Sequence, residues 1–179
     1  MKLEDLKLVF FEHLSKIYSI SEISTLFEIF SEDILNLSRI EVRKKYAEEI
    51  SKSEEAEFLK VLKKLEEEIP YQYILGEVEF FGLKFKVSKD VLIPRPETEE
   101  LVELAIEKIR ESRSKNQDKK GEVFKILDIG TGSGIIPIVL KTKFANAEIS
   151  AIDHSKSALE IAKFNAEKNH TKINFIFED

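Results

Sequence analysis

One stretch, residues 123–134, constrains the fold of this chain more than any other, and it reads VFKILDIGTGSG. Its first half is an apolar run typical of a strand buried on both faces of a sheet, made by Val123, Phe124, Ile126, Leu127 and Ile129. Its second half has glycine at every second position: Gly130, Gly132 and Gly134. Glycine permits positive φ and lacks the Cβ that would hold a ligand away from the backbone. The stretch therefore predicts a strand that leads into a tight ligand-binding turn.

The residues after the turn extend this prediction. A helix is expected from Ile135 to Leu140, with Pro137 in its first turn, where no helical hydrogen bond is lost. A strand over Glu148 to Ile152 follows, with Asp153 at its end. Taken alone, three spaced glycines are also compatible with an ordinary loop. The order of strand, turn, helix, strand and acid instead favours half of a nucleotide-binding α/β fold.

The glycine spacing distinguishes between ligands. A dinucleotide fingerprint has glycine three positions after its second glycine, and this chain has Ile135 there. The observed pattern, D-x-G-x-G-x-G, resembles motif I of the class I S-adenosylmethionine (SAM) methyltransferases. The resemblance implies that SAM is the cofactor and that Asp153 accepts hydrogen bonds from its two ribose hydroxyls, since a carboxylate is an acceptor only. It also implies that the turn lines the methionine end of SAM, through Gly130, Thr131, Gly132, Ser133 and Gly134.

Asp128, the acid of this motif, has two interpretations. It can orient the turn through backbone contacts, or it can simply end the strand.

Composition excludes several classes of protein. The 179 residues contain no cysteine, which excludes disulfides, thiolate metal sites and cysteine catalysis, and the three histidines have no spacing that indicates a metal site. No apolar run approaches the roughly 18 residues of a membrane span, and the first residues carry acids unlike a signal peptide. A net charge of −6 argues against general nucleic-acid binding. We expect a cytoplasmic protein without a membrane, metal or direct nucleic-acid partner.

The first 70 residues have helical periodicity throughout. Apolar residues recur at steps of three and four, as in Leu3, Leu6, Phe10, Leu14 and Ile17. Ser21 is a candidate N-cap for the second helix. The pattern predicts a small bundle of four or five short helices, which is a candidate for recognising a macromolecular substrate.

The spacing of apolar residues changes from helical to alternating after Pro70, which we expect to end the last helix of the bundle. Two short alternating runs, 77–81 and 83–87, flank Gly82 and predict a β-hairpin. The segment IPRPETE then leads into a helix that begins near Pro96. Its packed face is predicted to contain Leu101, Leu104, Ala105 and Ile109, and the polar residues 111–122 are predicted to form a flexible surface connection.

Two motifs in order make the resemblance specific. The segment that starts PYQYILGEVEFFG and contains IPRPETE, followed by ILDIGTGSG, is similar to the HemK/PrmC family, which methylates the glutamine of the GGQ motif in peptide chain release factors. The resemblance implies an α/β protein with a helical substrate-recognition bundle at 1–72, a β-hairpin linker at 73–95 and an incomplete methyltransferase domain at 96–179. That domain would hold the first three strands of a doubly wound, Rossmann-like sheet that has seven in the family. Ending it there would leave an apolar strand edge open, which favours aggregation or pairing.

The family also implies a reaction and a partner. The reaction is transfer of the SAM methyl group to the glutamine side-chain nitrogen of a release factor. In the family an Asn-Pro-Pro-Tyr segment holds that amide, and this sequence has none, so no catalytic residue is assigned and the chain alone is predicted to be inactive. Arg95 and Glu97 of IPRPETE could line the substrate entrance or lock the linker to the sheet.

Three alternatives remain open. The chain could be a nicotinamide oxidoreductase, a non-catalytic module that docks a release factor, or a methyltransferase acting on another protein.

Overall fold

The computed structural model describes residues 1–115 and 123–178. It forms two compact units, one ending at Leu75 and one beginning at Gly76. None of the helices described is long and apolar enough to cross a membrane.

The first unit is helical, as predicted. Its five helices are α1 (Leu3–Leu14), α2 (Ile20–Leu35), α3 (Arg39–Lys44), α4 (Lys52–Glu66) and α5 (Tyr71–Leu75). Pro70 was expected to end the helical part, and this is wrong. Its carbonyl accepts the N–H groups of Tyr73 and Ile74 at 2.9 and 3.2 Å, so Pro70 starts a further short helix.

The core of this unit is built on three phenylalanines that are fully buried. The rings of Phe10 and Phe27 meet edge to face at 5.2 Å, and those of Phe27 and Phe58 stack at 5.7 Å. The predicted stripe of α1 is confirmed at Leu3, Leu6, Phe10 and Leu14. Ile17 lies beyond the end of α1 and is 39% exposed, because the helical period that predicted its burial stops at Leu14.

Three helices of this unit, α2, α3 and α4, begin at serines three residues before a glutamate. The N-cap of α2 is Ser19 and not Ser21: its N–H donates to the Glu22 carboxylate at 2.8 Å, and its hydroxyl accepts the Glu22 N–H at 3.3 Å. This reciprocal pair, a capping box, satisfies two backbone donors that a helix start leaves unpaired. The same Ser-x-x-Glu spacing begins α3 and α4, at Ser38–Glu41 and Ser51–Glu54.

The second unit starts with the predicted hairpin. Strands β1 (Glu77–Phe80) and β2 (Leu83–Lys86) pair antiparallel. The two turn residues, Phe81 and Gly82, both have positive φ, at 55° and 72°. Positive φ at both positions gives the turn the twist that tight hairpins favour.

Helix α6 (Pro96–Lys115) follows, and half of its predicted packed face is confirmed. Ala105 and Ile109 pack against the core and are half-buried. Val102 and Ile106 are buried instead of Leu101 and Leu104, which are 56% and 50% exposed. The stripe through Leu101 and Leu104 and the stripe through Val102 and Ile106 both fit helical periodicity. Which of them is buried depends on the side of α6 that packs against its neighbours. The helix also includes residues 111–115, which were predicted to be a loop; residues 116–122 of that predicted connection lie outside the described residues.

A parallel sheet completes the unit. Strands β3 (Lys125–Ile129), β4 (Glu148–Asp153) and β5 (Asn174–Phe177) lie in the order β3-β4-β5, connected by helices α7 (Ile135–Lys143) and α8 (Lys156–Lys168). This alternation is the start of a Rossmann-like fold and confirms the predicted α/β class. Parallel pairing brings the carboxyl ends of the three strands to one edge, where ligands of such sheets bind.

The two faces of this sheet differ. Parallel strands in consecutive order are joined by right-handed crossovers, which place both helices on one face. Ile149 and Ala151 are buried on that face. The prediction that β3 is buried on both faces is wrong, since Leu127 and Ile129 on the other face are 55% and 77% exposed. None of the described helices of the second unit covers that face.

Candidate functional site

The glycine turn lies at the carboxyl end of β3 and is tied to the neighbouring strand. The N–H groups of Gly130 and Thr131 both donate to the carbonyl of Ile152, at 2.9 and 3.0 Å. The N–H of Gly134 donates to the carbonyl of Thr131 at 2.9 Å. These bonds close the turn and place the start of α7 directly after Gly134.

Asp153 closes the turn from the end of β4. Its side chain is buried; one carboxylate oxygen accepts the Gly132 N–H at 2.8 Å and the other accepts the Ser155 N–H at 2.9 Å. Each carboxylate oxygen has two lone pairs, so both retain capacity for a further donor. The sequence predicted that Asp153 stands near the turn, but not that it holds the turn itself.

The three glycines have positive φ but different surroundings. A Cβ added at Gly130 or Gly132 would have no neighbour within 4 Å, so the space above both is open. A Cβ at Gly134 would lie 3.0 Å from the Cβ of Ala162. Gly134 therefore allows α7 and α8 to approach closely, whereas Gly130 and Gly132 leave an open stretch of backbone that a ligand can contact.

Two polar atoms beneath the turn have no partner among the described residues: the Asp128 Oδ2 and the Thr131 hydroxyl. Burial, and secondarily the charge of Asp153, raises the pKa of the Asp128 carboxyl. The Thr131 hydroxyl lies close enough to oppose this rise, although no hydrogen bond of ordinary geometry joins the two side chains. Buried polar atoms left unpaired are costly, so they fit a site that is completed by a polar ligand.

The predicted site residues lie together. The turn 130–134 and Asp153 meet at the carboxyl edge of the sheet, in direct hydrogen-bond contact. Sequence reasoning missed Asn165, which is fully buried and donates to the carbonyl of Ser133 inside the turn. The available signal was its position, because Asn165 is a polar residue on the apolar stripe that includes Ala158 and Ala162.

The IPRPETE segment makes its contact through a different residue from those singled out. The Glu99 carboxylate accepts the Phe81 N–H at 2.8 Å and so fastens the start of α6 to the hairpin turn. Arg95 and Glu97 are exposed. Within this segment, the residue that ties the chain to the hairpin is therefore Glu99.

Known proteins match the chain in both units. The profile of the PrmC N-terminal domain matches residues 12–76, and that of ribosomal protein L11 methyltransferase (PrmA) matches residues 100–178. The release factor glutamine methyltransferase of Flavobacterium psychrophilum is 41% identical over 177 residues, which is 98% of this chain and 60% of that protein. The chain belongs to the HemK/PrmC family.

Other HemK/PrmC relatives match a shorter part. The release factor glutamine methyltransferase of Bacillus subtilis is 43% identical over 128 residues, 72% of this chain and 43% of that protein. The chain thus spans about 60% or less of the length of these relatives. A solved structure, the Pyrococcus abyssi tRNA (uracil-54, C5)-methyltransferase with S-adenosyl-L-homocysteine, aligns over 57% of this chain and 23% of that chain, with 19% identity and a TM-score of 0.44.

Proposed function

We propose that the 179-residue chain binds SAM at the glycine turn and belongs to the machinery that methylates a release factor glutamine. One observation carries the cofactor assignment. The buried Asp153 carboxylate holds the Gly132 N–H at 2.8 Å, and the missing side chains of Gly130 and Gly132 leave the backbone open. A turn held in this way is shaped before a ligand arrives, which lowers the entropic cost of binding.

The residues of the turn match the parts of SAM in chemistry. The free lone pairs of Asp153 suit the two ribose hydroxyls of the cofactor. The start of α7, directly after Gly134, carries the partial positive charge of a helix N-terminus and suits the methionine carboxylate. Bound SAM would supply an electrophilic methyl group on its sulfonium.

A nicotinamide dinucleotide fits this turn less well. The position where its fingerprint requires glycine is Ile135, which is buried in the core of the second unit. The oxidoreductase alternative therefore predicts binding of NADH, and our proposal predicts none.

The methyl acceptor is proposed from the names of the relatives. The chemistry of such an acceptor is demanding, because the lone pair of an amide nitrogen is delocalised into its carbonyl. The protein must hold that nitrogen in line with the methyl group, which is catalysis by orientation. No Asn-Pro-Pro-Tyr is present in this sequence to hold the amide, so we propose that the 179 residues bind SAM without transferring its methyl group.

The helical unit gives the proposal a second component. It is a bundle with its own phenylalanine core, and it corresponds to the part of the chain that matches the PrmC N-terminal domain. We propose that this bundle docks the release factor, in the cytoplasm where translation terminates. The alternative is that the chain docks its partner without binding SAM, or that it serves methylation of another protein.

Isothermal titration of SAM into the 179-residue chain tests the central claim. We expect saturable binding of SAM and none of NADH. Absence of SAM binding would contradict the cofactor assignment. If a release factor still bound, the docking alternative would hold. Transfer of labelled methyl groups to a release factor by the chain alone would contradict the proposed inactivity.

A further inference from the structure

Asn165 connects three parts of the second unit that are distant in sequence. It lies on α8 and is completely buried. Its side-chain oxygen accepts the Lys86 N–H at 2.6 Å, and its side-chain nitrogen donates to the Lys86 carbonyl at 3.0 Å. The same nitrogen donates to the Ser133 carbonyl at 2.9 Å. One amide therefore joins α8, the hairpin strand β2 and the glycine turn.

The hydrogen bonds of this amide match its capacity. An asparagine nitrogen has two donor hydrogens, and here both are used, one on each carbonyl. A buried amide that makes all of these bonds is compatible with a tightly packed interior, whereas a half-satisfied one is destabilising. A hydrophobic residue of similar size would leave the Lys86 N–H and the Ser133 carbonyl without this partner.

Asn169, the C-cap residue of α8, lies one helical turn after Asn165 and provides an internal comparison. Its nitrogen donates to the Lys84 carbonyl at 3.1 Å, so it also binds the edge of β2. It donates in addition to the backbone carbonyl of Asn165 at 3.0 Å, and no bond links it to the turn among the described contacts. Both asparagines thus dock the hairpin, and Asn165 alone of the two reaches the turn.

The position of the Ser133 carbonyl determines the orientation of the Ser133–Gly134 peptide in the turn. This carbonyl shares a rigid peptide plane with the Gly134 N–H, which donates to the Thr131 carbonyl. Asn165 thus holds one end of that plane, and the Thr131 carbonyl holds the other. On the other side of Ser133, the Gly132 N–H is held by Asp153. Without such restraints, a segment with alternating glycines has unusually large backbone freedom to lose on binding.

We propose that Asn165 is a positioning residue for the glycine turn and fixes its Ser133–Gly134 peptide against the hairpin. Asn165 acts through the Ser133 carbonyl and not by touching the cofactor. The expected effect of Asn165 on SAM affinity rests on the proposed function, whereas its expected effect on the rigidity of the turn does not.

The test compares Asn165→Asp with the matched variant Asn169→Asp. Aspartate keeps the oxygen that accepts the Lys86 N–H, but it replaces the nitrogen by a second oxygen that faces two carbonyls. We expect Asn165→Asp to weaken SAM binding about tenfold, which corresponds to about 1.4 kcal/mol. Asn169→Asp should change the affinity less than about twofold, because the two bonds it loses end at the Lys84 and Asn165 backbone carbonyls and not at the turn.

Amide hydrogen exchange in the absence of SAM supplies a readout that does not depend on the cofactor. In Asn165→Asp the Gly132 and Gly134 amides should exchange faster, while the Ala151 amide in the centre of the sheet keeps its protection. Asn169→Asp should leave both turn amides unchanged. If Asn165→Asp lowers protection at Ala151 as well, Asn165→Ser is measured instead, since one hydroxyl cannot serve two carbonyls.

The outcomes separate the two proposals. If the unmodified chain does not bind SAM, the proposed function fails, and hydrogen exchange still decides the role of Asn165. Unchanged exchange at Gly132 and Gly134 in the folded Asn165 variant would overturn the positioning role. Equal acceleration in the Asn169 variant would also overturn it, because the effect would then come from hairpin docking.

Discussion

The Asp153 carboxylate and the Gly132 N–H are 2.8 Å apart, although 21 residues separate them in the chain. The contact joins the end of β4 to the middle of the glycine turn. It means that the acid expected to bind the ribose of a cofactor also holds the backbone on which that cofactor would lie. The proposed SAM affinity and the geometry of the turn would therefore be linked through one side chain.

Removal of this carboxylate should weaken cofactor binding. We expect Asp153→Ala to reduce SAM affinity by about 1.5 to 3 kcal/mol, the cost of losing hydrogen bonds to a charged group. Titration calorimetry measures the change. The matched control is Glu148→Ala, which removes an exposed carboxylate from the opposite end of the same strand and should leave the affinity unchanged. Equal affinities of the Asp153 variant and the unmodified chain would reject the assignment.

The glycines of the turn should respond differently to alanine. Gly130→Ala and Gly134→Ala both place a side chain at a φ of 78°, which costs about 1 to 2 kcal/mol. Gly134→Ala should cost a further 1 to 3 kcal/mol, roughly, because the new methyl group would press on Ala162 and overpack the α7–α8 contact. Urea unfolding measures both. If the Gly134 variant is as stable as the Gly130 variant, the α7–α8 contact at Ala162 can accommodate a methyl group without loss of stability.

The same pair separates packing from ligand binding. At Gly130 the added methyl group would point into the open space above the turn, so Gly130→Ala should weaken SAM binding more than its effect on stability accounts for. Full SAM affinity in that variant would show that the cofactor does not approach the backbone there.

The half-buried Asp128 should make stability depend on pH. Its raised pKa means that the folded chain binds this proton more tightly than the unfolded chain does. The protonated Asp128 carboxyl therefore stabilises the fold at pH values below 3.8, the ordinary pKa of this group. This stabilisation is lost as the pH rises from 3.8 to the raised pKa, and it is absent at higher pH. Asp128→Asn removes this penalty and should be more stable than the unmodified chain at neutral pH.

Urea unfolding at a series of pH values tests this sign. The advantage of Asp128→Asn should shrink as the pH falls towards 3.8, because the native carboxyl is then protonated. A constant difference across the series would mean that Asp128 is not the titrating group. Glu148→Gln, on the surface, serves as the control for a general change in charge.

The uncovered face of the sheet should promote self-association of the 179-residue chain. Leu127 and Ile129 expose more than half of their surface there, on a strand that pairs with β4 alone within the described sheet. The double change Leu127→Lys and Ile129→Lys should reduce association in sedimentation velocity and change stability by less than about 0.5 kcal/mol. Ile149→Lys, on the covered face, should instead unfold the unit. Unaltered association in the double variant would exclude this face as the contact.

Local patterns in the sequence predicted the parts of the structure that depend on neighbours along the chain. The hairpin, the glycine turn and the position of Pro137 in α7 all follow from residues within a few positions of one another. Asp153 was found in the same way, because the length of a strand–helix–strand unit fixes where the second strand ends.

Features that depend on distant partners were missed. Leu127 has the sequence pattern of a doubly buried strand residue, but its burial depends on an element packed across the sheet. The buried stripe of α6 was misplaced for a related reason, since Leu101 and Val102 are equally apolar and the neighbouring helix selects between them. Asn165 bonds to residues 79 and 32 positions away, a distance at which local pattern gives no information.

The capping boxes of α2, α3 and α4 have a consequence for the order of folding. Each fixes the start of its helix by contacts three residues apart, before any tertiary contact is required. The parallel strands β3 and β4 can pair only after the whole intervening crossover has closed, and such non-local pairing slows folding. During synthesis the helical bundle also leaves the ribosome first. The unit proposed to dock the release factor would therefore be folded while the proposed cofactor site is still forming.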